Sequence, residues 1–248
     1  MDTTNKMVNK VPLVTLFFWI IKILATTVGE TAADYLNETM GLGLTGTSYI
    51  MGGLLLIILF FQFRARKYIP GLYWAAVVFL SIVGTLISDN LVDNMGVALM
   101  TTTIIFGSAL VVDFVWWYLS ERTLSVHKID TTKREFFYWF AILFTFSLGT
   151  SGGDLISESS GLGYAYAALL FFAAIGLVYL AYKFLKMNAI LAFWIAYIIT
   201  RPLGASLGDL LSQPTTNGGL GVGTTVTSIV FLSVILALVI YLTVKQKK

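Results

Sequence analysis

Apolar and polar positions alternate along the chain on a coarse scale. Eight apolar stretches, about residues 12–36, 46–63, 70–92, 97–118, 136–157, 163–184, 189–212 and 223–244, are separated by short polar breaks. Runs of roughly 18 or more apolar residues have the length of membrane-crossing helices. The breaks are of two kinds. One kind is basic: Arg64, Arg66 and Lys67; Arg122, Lys128, Lys133 and Arg134; Lys183 and Lys186; with Lys6 and Lys10 before the first stretch and Lys245, Lys247 and Lys248 after the last. The other kind, "LNETMGLGLTG", "DNLVDNMGV", "SESSGLGY" and "SQPTTNGGLGVG", holds no Lys or Arg. The two kinds alternate. Basic residues mark the cytoplasmic side, so the pattern predicts an all-α integral membrane protein of eight transmembrane helices with both termini in the cytoplasm.

Composition agrees. The chain is 57% hydrophobic and 12% charged, with a mean hydropathy of +0.84, against about 25% charged residues in a soluble domain. Met1–Lys10 is polar and no cleavage-type site follows it, so the first stretch reads as a mature helix. Cysteine is absent and His127, in a basic loop, is the single histidine. Disulfides and thiolate metal sites are excluded, and a His/Cys zinc site is not expected.

The chain repeats itself. Trp19, Trp74, Trp139 and Trp194 are each followed after ten residues by a glycine (Gly29, Gly84, Gly149, Gly204) and after fifteen by an aspartate (Asp34, Asp89, Asp154, Asp209). Four residues further stands Glu38, Asp93, Glu158 or Gln213. The pattern W-x9-G-x4-D-x3-[E/D/Q] thus occurs once on each odd-numbered helix, at spacings of 55, 65 and 55 residues. Each unit reads as a helix hairpin crossing twice, so all four run in the same orientation. Two successive duplications would give two halves of four helices, residues 1–125 and 126–248. The four Trp suit an aromatic belt at the cytoplasmic interface, and the glycines suit close helix packing.

Positions four apart share one helix face. Read back from the aspartates, the stripes are Thr26, Glu30, Asp34 and Glu38; Ser81, Thr85, Asp89 and Asp93; Phe146, Thr150, Asp154 and Glu158; and Arg201, Ala205, Asp209 and Gln213. Each aspartate lies about 22 Å beyond its Trp, inside a hydrocarbon core of about 30 Å. The four should share one level in the outer half of the membrane. Ionised groups at that depth are costly and normally face a bundle interior or a water-filled path. Gathered carboxylates need a cation, a proton or a basic partner. With hydroxyls and carbonyls they are hard oxygen ligands suited to Mg²⁺, Mn²⁺ or Ca²⁺. We therefore take Glu30, Asp34, Glu38, Asp89, Asp93, Asp154, Glu158 and Asp209 as candidate cation ligands, and Thr26, Thr85 and Thr150 as supporting polar groups. The acids nearest the helix ends could equally be loop residues in water, and the hydroxyls could equally bond between helices.

Arg201, next to Pro202, stands at the stripe position held elsewhere by Thr26, Ser81 and Phe146. It should pair with Glu30 or Asp209, as a structural pair or as an internal counter-ion. Lys22 lies near the Trp level and is expected to snorkel to the cytoplasm. Asp113 could be its partner or a cytoplasmic-side exit.

These features favour a transporter for a cation, with no cofactor beyond the bound ion, exchanged against protons where burial raises carboxylate pKa values. A channel or cation-sensing module with an acidic ring is the alternative. An intramembrane aspartyl hydrolase is remote: "SGGD" and "SLGD" are weak motif matches and four equivalent aspartates do not suit a dyad. The lipid bilayer is the expected partner; nucleic acid is not, and nothing indicates an oligomer. The segments "WIIKILATTVGETAADYLNE", "GTSGGDLISESSGLG" and "RPLGASLGD" resemble a family of bacterial multi-pass proteins, sometimes labelled membrane-anchored, over nearly the whole chain. The resemblance implies a bacterial inner-membrane protein and carries no activity.

Overall fold

The computed structural model describes residues 9–159 and 161–246, without the side chains of 158 and 159. Among them are eight helices: α1 Leu16–Asp34, α2 Gly43–Arg64, α3 Pro70–Asp89, α4 Leu99–Glu121, α5 Thr132–Asp154, α6 Tyr164–Phe184, α7 Ala189–Ser212 and α8 Thr224–Gln246. All eight are long and apolar enough to cross a membrane. Local signals fix several starts. Pro70 opens α3 where its missing N–H costs nothing. The Thr131 side chain accepts from Arg134 N, and Asn188 accepts from Ile190 N and Leu191 N. The first helix begins later than expected, because residues 9–15 form an irregular lead-in pinned by Lys10 N to Ile129 O at 3.1 Å.

The odd and even helices have different jobs. In the most apolar windows of α1, α3, α5 and α7, 56–72% of residues are buried, against 17–22% in α2, α4, α6 and α8. The odd helices carry the polar stripes and form an inner ring in which α1 packs on α3, α3 on α5, α5 on α7 and α7 back on α1. The even helices face outward, and each sits in a groove of that ring. The hairpin is not the packing unit: α2 crosses over to α3, α4 to α5, α6 to α7, and α8 closes onto α1. Side-chain contacts extend each even helix to the next inner helix as well. Gln62 of α2 donates to Glu135 of α5 at 3.2 Å, and Trp117 of α4 packs on Phe137 and Trp194. A small cluster joins α6 (Ala167, Phe171) to Leu203 of α7 and Ile23 of α1.

Close packing holds the ring together, as it must where lipid is as apolar as the protein interior. A Cβ on Gly29 would meet Ser81; on Gly84, Phe146; on Gly149, Arg201; on Gly204, Thr26. Each glycine therefore faces the stripe residue eight before the aspartate of the next inner helix, four times round. The packing role read for these glycines is what the structure contains.

The four repeat tryptophans do not form a lipid-facing belt. Trp74, Trp139 and Trp194 are buried and Trp19 is half-buried against the core. They pack with Phe18, Tyr73, Tyr138 and Phe193 in a continuous aromatic layer inside the basic end of the ring. The reason is register: at about 100° per residue, fifteen residues bring each Trp to within about 60° of the direction its aspartate faces. The tryptophan that faces outward is Trp116, outside the repeat pattern.

Candidate functional site

Four residues per step along the inner ring define layers. Asp34, Asp89, Asp154 and Asp209 form the first, at the end of the bundle remote from the basic loops. With Glu30, Asp93, Val92, Leu99 and Gln213 they line a cavity of about 150 Å³. Asp209 and Glu30 are buried, while the other three aspartates are half-buried. Six carboxylates thus border one small space, at the negative C-terminal ends of their helices.

The next layers close its floor. Arg201, fully buried, reaches under the cavity from α7. Its Nη2 meets Glu30 Oε2 at 2.6 Å and Thr150 Oγ1 at 2.7 Å, and also contacts Thr85 Oγ1; Nη1 donates to Thr26 O at 2.8 Å. One guanidinium thereby ties all four inner helices together. Glu30, one of the two partners expected for Arg201, forms an ion pair with it. The Thr85 and Thr150 hydroxyls serve the guanidinium, and Thr26 Oγ1 turns back to Ile23 O at 2.8 Å and to Thr200 O at 3.2 Å.

Lys22 does not snorkel. It is fully buried one layer below Arg201, with Nζ 3.8 Å from the Tyr197 ring centroid and 4.9 Å from that of Phe146. Its ammonium has no hydrogen-bond partner and pairs neither with Asp113 nor with another acid among the described residues. The residue points along the inner stripe, twelve before Asp34, and the aromatic layer lies between it and the basic end. Asp113 is buried in α4 without an ion pair among the described residues. In the aromatic layer, the Tyr73 and Tyr138 hydroxyls meet at 2.5 Å. Below it, Lys10 bonds Glu135 Oε2 at 2.5 Å, both buried, with Gln62 alongside. The axis is therefore filled from Arg201 to the basic end.

Of the other predicted site residues, Asp93 is exposed at the cavity rim. Glu38 is exposed near the end of its helix and does not line the cavity. The Glu158 side chain lies outside the described residues. Among the described residues no group of three or more His, Asp or Glu is placed to hold a metal ion. The acids stand round a space and do not converge on a point.

A repeated feature escaped the α-helical reading. After Asp34, Asp89 and Asp154 the helix widens into a π turn: Tyr35–Thr39, Asn90–Asn94 and Leu155–Ser159. Such turns are frequent at functional positions. They rotate Glu38 and Asp93 relative to the α-helical stripe. The fourth copy keeps α-geometry to Ser212 and ends at Pro214. A glycine in a left-handed conformation follows each widened turn, Gly41, Gly96 and Gly161, but it marks the helix end and not the widening, since Gly218 follows the unwidened fourth copy too.

Comparison with known families agrees with this architecture. The family described as Repeat of Unknown Function (DUF347) matches four times, over residues 17–68, 72–123, 137–188 and 192–248. The chain belongs to that family, with four repeats at the 55, 65 and 55 residue spacing read from the tryptophans. No curated protein and no solved structure matches the chain.

Proposed function

We propose that this protein is a membrane transporter for a cation, taken up in the carboxylate-lined cavity and moved across by rearrangement of the inner ring. The observation that carries the reading is the imbalance of charge: six carboxylates border one cavity above a single guanidinium. Such a cluster is stable only when cations or protons join it. A space of about 150 Å³ has room for several waters at roughly 30 Å³ each. Acids that line the wall without converging suit a cation that keeps part of its water shell. Mg²⁺ and Mn²⁺ are candidates, since small divalent ions dehydrate reluctantly; Ca²⁺ is the larger alternative.

On this reading Arg201 is a resident counter-ion. In the empty state it holds Glu30; an arriving cation competes for that carboxylate, and protons leaving the aspartates would balance the charge. The filled axis below Arg201 favours alternating access over a continuous pore, which sets the transporter above the channel reading. The basic end would face the cytoplasm and the cavity the outside, in the inner membrane of a bacterium.

Purified protein reconstituted into liposomes tests this directly. Saturable uptake of Mn²⁺ or Mg²⁺ should accompany a pH change in the lumen, and the Asp34→Asn/Asp154→Asn double variant should fall to the protein-free rate. Wild-type flux from that variant, folded as judged by its gel-filtration profile, sinks the proposal. Conductance steps without saturation would replace the transporter with the channel.

A further inference from the structure

The four outer grooves of the ring are equivalent by repeat, but one is not filled. The offsets of 55 and 65 residues equate Leu55 of α2, Leu110 of α4 and Ile175 of α6. The first two are buried and Ile175 is half-buried. The same offsets equate Gln62, Trp117 and Tyr182: the first two are 1% and 0% exposed, Tyr182 is 48% exposed. The far half of α6 packs into its groove through Ala167 and Phe171. Between its near half, α1 and α7 lies a cavity of about 620 Å³ at the basic end. The space is walled by Trp19, Ile175, Val178, Phe193 and Ala196 and roofed by the loop Leu124–His127. That volume lies within the usual range of ligand sites. From Tyr182 to Ile175 it extends about 10 Å along the helix, into the apolar part of the spans.

Two observations say what fills it. First, the cavity lies between the outward-facing α6 and the inner helices α1 and α7, all three long and apolar enough to cross a membrane, so acyl chains surround α6 and an apolar wall admits them. Second, the mouth is positively charged. Arg122, Lys128, Lys183 and Lys186 are exposed within three residues along the chain of lining residues, and none makes an ion pair among the described residues. The acids of the neighbouring loop are already taken: Glu121 by Arg134 and Lys133, Asp130 by Arg134. An apolar slot two helical turns deep, flanked by cations without acidic partners among the described residues, matches an anionic lipid, with basic pockets between membrane helices as the general precedent.

We propose that the α1/α6/α7 groove at the basic end is a binding site for one anionic phospholipid, with an acyl chain against Trp19, Val178 and Phe193 and the headgroup among Lys183, Lys186 and His127. The bound chain completes the fourth groove as Trp117 and Gln62 complete two others. The site is independent of what the acidic cavity carries.

Native mass spectrometry of the full chain, titrated with phosphatidylglycerol and phosphatidylcholine, reads this out. One phosphatidylglycerol should be retained, with a preference of about tenfold or more, given the attraction of each nearby basic residue for anionic lipid. Val178→Trp, which fills the slot from α6, should lose the retained lipid. Lys183→Gln/Lys186→Gln should keep a lipid and lose the preference. If V178W does not fold, a diazirine-tailed phosphatidylglycerol should label wild-type residues 175–182 or 189–196. Equal retention of both lipids, unchanged retention by V178W, labelling confined to other helices, or a lipid-free dimer each overturns the proposal.

Discussion

Gly84→Ala should destabilise this protein, although in most helices the same change helps. Alanine is favoured over glycine in a helix interior by about 1 kcal/mol. At residue 84 the added Cβ would stand 2.7 Å from Phe146 Cβ, 3.3 Å from Ser147 N and 3.4 Å from Phe146 C. Ordinary carbon contacts sit near 3.5–4.0 Å, so α3 and α5 would have to part by about 1 Å. Two of the three atoms are backbone, and no rotamer change relieves them. Ser147 Oγ also donates to Gly84 O at 3.1 Å across the same contact, and separation lengthens that bond. Overpacking a tight core costs about 1–3 kcal/mol, and the lost bond about 1 kcal/mol. Against the alanine gain, a net loss of about 1–3 kcal/mol remains. For a chain of this size that lowers Tm by roughly 2–12 °C, at 2–4 °C per kcal/mol. The control is Gly176→Ala on α6, where nothing lies within 4 Å of an added Cβ; its Tm should stay or rise. Scanning fluorimetry in one detergent compares the two. Equal Tm values for both variants would refute the ring of close glycine contacts.

Three further outcomes follow from the buried charges. Arg201→Met should cost about 3–5 kcal/mol, because it leaves Glu30 buried opposite no cation, and adding Glu30→Gln should recover most of that loss; additive Tm changes in the double variant would deny the pair. Lys22→Met should hold or raise Tm, since the ammonium has no acceptor and an aromatic face returns only about 2 kcal/mol of its desolvation; a fall of several degrees would contradict the interior placement. Lys10→Met should cost about 3–5 kcal/mol by stranding Glu135, visible as a lower urea midpoint, and Lys10→Arg should restore part of it.

The eight helices, the four repeats and the level of the aspartates were legible because each depends on one period. Apolar length gives the spans, the Trp to Asp interval gives the repeat, and four-residue spacing gives the stripe. What stayed hidden depends on which neighbour a face meets. Nothing in α2 says that it packs on α3 and not on α1, since its face pattern is nearly featureless and its partner is set by the closure of the ring. Lys22 had two physically sound fates, snorkelling or burial, and the interior aromatic ring of Tyr197 that decided between them belongs to a helix 175 residues away. The π turns were hidden because a five-residue widening leaves composition unchanged and shifts only the phase of Glu38 and Asp93.

Symmetry and its breaking divide the labour in the ring. The positions that repeat most faithfully, the glycine and the aspartate, do the two things that all four helices must share: approach each other and face a common space. One layer below, the repeat holds Glu30, Thr85, Thr150 and Ala205, and below that Thr26, Ser81, Phe146 and Arg201. A symmetric layer of four arginines would repel itself, and four glutamates beneath four aspartates would add to the negative charge. One arginine on α7 opposite one glutamate on α1, with hydroxyls on α3 and α5, gives both terminal nitrogens of the guanidinium partners on the other three inner helices, while Nε is left without one. The asymmetry also makes the α1–α7 contact the place where charge entering the cavity would be felt. A cation that draws Glu30 away from Arg201 weakens the guanidinium contact that ties all four inner helices together. Any rearrangement that opens the filled axis should therefore begin at that seam, where the two ends of the chain's repeat meet.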